Sequence, residues 1–146
     1  MIDARDADLL KEIVRRESRS LLQYVGDSFP WTTRQERETL PMLRSMIEEE
    51  REAAAALARF LASQRQTPPY LGAFPQSFTT INFISLDYLL PKLVDSERED
   101  IALLEHSETV ATDSDARAHI ERILNIKRQH LETLQKLSDQ PVTSAH

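Results

Sequence analysis

Cysteine is absent from this 146-residue chain, which excludes disulfides, thiolate metal sites and a cysteine nucleophile. Glycine occurs only twice, too rarely for the many tight turns of an all-β protein or for a glycine-rich phosphate loop. No uninterrupted apolar run approaches the roughly 20 residues that a membrane-spanning helix needs. Aromatic residues make up 6% of the chain, and 18 basic residues are outweighed by 24 acidic ones for a net charge of −6. Acids and bases are interleaved, so no basic face offers itself to nucleic acid. Residues 1–6 lack the basic region and apolar run of a secretory leader, and the expected location is the cytoplasm.

What the chain does have is helix formers. Ala, Leu, Glu, Arg and Gln fill four long segments. In the first, from about Asp3 to Tyr24, the residues Leu10, Ile13, Glu17, Leu21 and Tyr24 fall on one stripe at steps of three and four. Thr33-x-x-Glu36 has the spacing of a capping box, and the second segment carries Leu43, Ile47, Glu50, Ala54, Leu57 and Leu61. Pro41 is expected to kink that helix or delay its regular part. The third carries Leu86, Leu90, Leu93, Glu97, Ile101 and Leu104, with Pro91 predicting a kink or a short preceding helix. Thr112, Asp113 or Ser114 can cap the fourth, which presents Ile120, Ile123, Lys127, His130, Leu131 and Leu134. The connections are short, long (about Thr67 to Thr79, with three of the seven prolines) and short. That sequence of lengths predicts an all-α four-helix bundle with one long crossover between helices 2 and 3, which then run parallel. A single domain spans 1–140, and 141–146 reads as a tail.

Each apolar stripe is interrupted near its middle by a polar residue: Glu17, Glu50, Glu97 and Lys127, the last with His130 one turn on. Burying charge is expensive unless it is paired or bound to metal, so the four interruptions call for one explanation. At similar depth in a bundle these groups meet on its axis. Converging carboxylates and an imidazole suit iron, manganese or zinc.

At these residues the chain resembles the ferritin-like superfamily, on its rubrerythrin and bacterioferritin side. The resemblance implies a four-helix bundle with one crossover and a di-iron or di-manganese centre, in which two helices each give a Glu and two each give Glu-x-x-His. Glu17, Glu50, Glu97 and His130 match four of those ligands. Ala53 stands where the helix 2 His belongs, and Lys127 where the helix 4 Glu belongs. Two of six ligands are missing, one replaced by a cation, so the implied redox chemistry is expected to be lost.

Two readings of the central residues stand side by side. In one, Lys127, with or without a protonated His130, neutralises the glutamates in a charge network that needs no cofactor, and the protein is a binding or interaction module rather than an enzyme. In the other, Glu17, Glu50, Glu97 and His130 hold a single Fe, Mn or Zn ion. A helix rotation exposing some of these groups is the remaining arrangement. A homodimer through an exposed helix pair is expected, with no nucleic-acid or membrane partner. A resemblance to DinB-like metalloproteins ranks below these, because no His-x-x-x-His pair accompanies His130. Glu48, Glu49, Glu52, Asp95, Glu99 and Asp100 read as solvated faces, Asp115 with His119 as a surface pair, and His106 as a partner of the helix dipole. Tyr24, Phe29, Trp31, Tyr70 and Phe74 read as caps on the core, with a small-molecule pocket as the alternative.

Overall fold

The computed structural model describes residues 1–27, 38–80 and 86–139. These form α1 (Ala4–Ser18), α2 (Leu21–Asp27), α3 (Thr39–Ser63), a 3-10 turn at Gln76–Thr80, α4 (Leu86–Val110) and α5 (Ser114–Asp139). No strand occurs among the described residues. The Thr33-x-x-Glu36 box, Phe29, Trp31 and the 141–146 tail lie outside them. Among the described residues, no helix is long and apolar enough to cross a membrane.

The expected first helix is two helices. Arg19 leaves helical geometry at φ −120°, ψ 26°. Ser20 then restarts the chain, its Oγ accepting the Gln23 amide at 3.2 Å while its carbonyl accepts the Tyr24 amide at 3.0 Å. A serine that caps locally competes with continuation of the preceding helix, and the apolar stripe on its own does not register that competition. The two prolines disrupt less than their type suggests. Pro41 falls in the first turn of α3, where a missing N–H removes no helical bond. Pro91 lies inside α4, which runs unbroken from Leu86 to Val110. Of the three candidate caps for α5, Asp113 is used: its Oδ2 accepts the Ala116 amide at 2.9 Å.

Two apolar clusters fix the relative directions of the helices. One joins Leu10 and Ile13 of α1 to Leu57 and Leu61 near the end of α3, Leu104 near the end of α4, and Ile120 and Ile123 near the start of α5. The other joins Leu22 of α2 to Leu43 and Ile47 at the start of α3, Leu86 to Val94 at the start of α4, and Leu134 late in α5. So α3 and α4 run parallel, α1 and α5 run against them, and the segment after Ser63 crosses the bundle's length. The polar residues of the mid-helix positions lie between the two clusters.

A buried aspartate ties the α4–α5 turn to α1. Asp6, 2% exposed, accepts the amides of Thr112 at 3.2 Å and Asp113 at 2.7 Å, and the Thr112 hydroxyl at 3.1 Å. Burial opposes its charge, but these bonds prevail and lower its pKa below the ordinary value.

Candidate functional site: a lysine among four carboxylates

Stripe geometry brings the mid-helix residues together. Glu17 ends the buried face of α1, Glu50 lies on that of α3, Glu97 on that of α4, and Lys127 and His130 on that of α5. Lys127 is completely buried. Its Nζ lies 2.8 Å from Glu17 Oε1, 2.9 Å from Glu50 Oε1, 3.2 Å from Glu97 Oε1 and 3.4 Å from Asp100 Oδ2. The exposure of charged groups through helix rotation does not occur: Glu17, Glu50, Glu97, Lys127 and His130 are all buried.

Asp100 corrects the sequence reading, which placed it on a solvated face. It is 9% exposed and faces the ammonium. The signal was its step of three from Glu97, which puts both on one helical face. Its neighbours Asp95 and Glu99 are exposed, as expected, and so are Glu48, Glu49 and Glu52.

Protons are shared unevenly. Burial opposes the charge of Lys127, but the carboxylates around it prevail and raise its pKa well above the ordinary lysine value. Burial also pushes Glu50 upward, yet the Lys127 ammonium and the hydrogen bonds from His130 and Lys127 outweigh it and hold Glu50 at about 2. Glu97 goes the other way, raised well above the usual range by burial against only partial relief from Lys127. Two buried carboxyls on one ammonium are thus pushed in opposite directions, Glu50 toward the ionised form and Glu97 toward the protonated one. Glu17 and Asp100 are also raised, burial being the largest cause in each.

His130 is oriented by the same network. Its Nδ1 is 2.6 Å from Glu50 Oε2, and an ionised carboxylate can only accept, so Nδ1 carries the proton. The ring's other nitrogen is buried without a hydrogen bond, 3.6 Å from Glu49 Oε1. Three carboxylate oxygens share that condition: Glu17 Oε2, Glu97 Oε2 and Asp100 Oδ2.

A dinuclear metal centre does not fit this donor set. Ala53, 2% exposed, offers no ligand atom, and Lys127 puts a cation among the carboxylates. For a single ion the geometry is more accommodating. Glu50, Glu97 and His130 each offer a ligand atom within 4.8 Å of the others and could hold one ion. Glu17 does not belong to that group; its Oε1 is on Lys127.

The remaining candidates separate cleanly. Tyr24 packs edge-on against Phe74 with centroids 5.2 Å apart and lies 5.5 Å from Phe78, whereas Tyr70 is 89% exposed and caps nothing. Asp115 and His119 share a shallow surface depression in which the His119 ring packs, tilted by 38°, against Phe60 with centroids 4.8 Å apart. His106 is exposed. Comparisons with protein-family models, with curated proteins and with solved structures gave no match.

Proposed function

We propose that this is a ferritin-like bundle in which the Lys127 ammonium stands where the resembled family carries metal, and that it serves as a binding or interaction module rather than a redox catalyst. The observation that carries the reading is the fully buried Nζ with four carboxylates at 2.8–3.4 Å. An ammonium so placed neutralises part of the charge that a metal would otherwise neutralise, and it repels a second cation. The parallel run of α3 and α4, with a crossover between them, supports the ferritin-like part of the reading.

Elemental analysis of protein purified without chelator tests it. The expected result is far less than one iron, manganese or zinc per chain. Lys127→Glu, which removes the cation and completes a Glu-x-x-His spacing with His130, is expected to gain bound metal on reconstitution. Wild-type protein with close to one ion per chain, lost in Glu50→Ala, refutes the reading.

That outcome would favour a second reading, a single ion on Glu50, Glu97 and His130, whose support is the clustering of their ligand atoms. Lys127 would then have to leave two of those carboxylates, and a side chain without solvent access has few places to go.

A further inference from the structure

Beside the charge network, where α1 ends, the bundle holds a cavity of about 410 Å³. It exists because α3 presents Ala54, Ala55 and Ala58 there beyond Arg51, with Leu71 and Phe74 of the crossover on the other side. Small residues alone make a gap, not a site. What marks this one is Glu17: its side chain is 2% exposed, it lines the cavity, and its Oε2 is buried without a hydrogen bond. Of the three carboxylate oxygens left without a hydrogen bond in the network, only that of Glu17 belongs to a residue lining this cavity.

The chemistry of the lining specifies what complements it. One ammonium faces four carboxylates, and Glu17 Oε2 receives no N–H donor. Two arginines, Arg19 and Arg51, contribute to the same cavity. Arg19 is held by its Nε donating to the Gly72 carbonyl at 2.8 Å and by its guanidinium lying 5.0 Å from the Phe74 ring centre. Gly72 supplies that carbonyl from φ +70°, a conformation that L side chains resist. Arg51 is held by Gln23 Oε1 at 3.2 Å and Glu48 Oε1 at 2.9 Å. These bonds use Nε and Nη1 of Arg51 and leave its Nη2 for an incoming carboxylate, which arginine recognises well. An anion lacking an amine would meet Glu17 unpaired, and an amine lacking a carboxylate would meet two guanidinium groups. Most of the remaining lining is hydrocarbon, from Val14, the three alanines, Leu71 and Phe74.

We infer that this cavity binds an α-amino acid with an apolar side chain, its ammonium donating to Glu17 Oε2 and its carboxylate meeting Arg19 and Arg51. The inference deepens the binding-module reading and rests on it.

Titration calorimetry on the full chain with L-leucine, L-methionine and L-phenylalanine tests it, followed by the des-amino acid and the decarboxylated amine of the best binder. One amino acid is expected to bind at one site per chain. Both truncated analogues should bind at least about tenfold more weakly, the usual loss when a buried polar group is left unpaired. Ala55→Leu fills the cavity without touching the charge network and should abolish binding while the helical circular-dichroism signal is retained. Arg51→Met, which leaves Glu17 in place, should weaken the amino acid but not the amine. The inference is overturned if none of the three binds, if the des-amino acid binds as well as the amino acid, or if Ala55→Leu leaves affinity unchanged. Metal content decides the underlying reading separately, so amino-acid-free but metal-free protein sinks only the ligand assignment.

Discussion

Glu50 accepts from Lys127 Nζ at 2.9 Å through Oε1 and pairs with His130 Nδ1 at 2.6 Å through Oε2, so both of its oxygens are engaged. It is the one carboxylate of the four whose pKa falls below its ordinary value. Glu17, Glu97 and Asp100 share the same ammonium with fewer donors, and burial raises all three. Glu50 is therefore the best served of the four acids that share one ammonium.

Removing the ammonium leaves buried acids without a counter-charge. Lys127→Met is expected to destabilise the fold by about 3–5 kcal/mol, as breaking a buried ion pair from one side does. Urea denaturation would show it. Acidification should recover part of the loss, because the stranded carboxylates then take up protons.

The pH dependence has two opposing limbs. Glu17, Glu97 and Asp100 have folded pKa values above their ordinary ones, so their contribution is complete below those ordinary values and is lost as pH rises through the folded ones. Glu50, lowered from 4.5 to about 2, contributes above 4.5 and its share is lost as pH falls toward 2. Stability is expected to rise as pH drops from neutral to about 5, then to fall. Urea midpoints across that range check it, and Glu97→Gln should flatten the limb above pH 5. A midpoint that climbs steadily toward neutrality would contradict the assignment of protons.

At the far end of the bundle, Asp6 is the anchor of the α4–α5 turn. Asp6→Ala is expected to cost roughly 2–3 kcal/mol, the scale of losing hydrogen bonds to a buried charged acceptor. The amides of Thr112 and Asp113, which donate to it, should exchange hydrogen faster. Unchanged protection at those two amides would mean that the turn holds itself.

Helix α3 ends on a residue poorly suited to its place. Arg65 has φ +59°, with its amide on the Ala62 carbonyl and the Gln66 amide on the Leu61 carbonyl, the bonding of a Schellman cap. Glycine takes that conformation without the Cβ clash, so Arg65→Gly should stabilise the protein by about 0.5–1 kcal/mol. A thermal midpoint that drops instead would mean that the arginine side chain does more than occupy the turn.

Local patterning carried far in this chain. Stripes at steps of three and four named a little over half of the residues of the two apolar clusters, and the same steps singled out Glu17, Glu50, Glu97, Lys127 and His130, all of them buried. The failures have physical causes. The Arg19–Ser20 break depends on a serine whose cap competes with the helix, and a hydrophobic period does not weigh that competition. Asp100 was grouped with Asp95 and Glu99, exposed acids of the same helix, although its step of three from Glu97 places it on the buried face. Asp6 gave no signal, because its partners lie 106 and 107 residues away.

Sequence alone determined that the chain is helical, which faces of its helices are apolar, and that acids and one lysine interrupt those faces, because all three follow from residue type and the 3.6-residue turn. Tertiary structure decided the rest: that four carboxylates converge on one ammonium, which of them is pushed toward its ionised form, and that Glu17 lines a cavity together with two arginines. Those outcomes depend on distances of a few ångströms between side chains of different helices, and periodicity along a single helix contains no such distance.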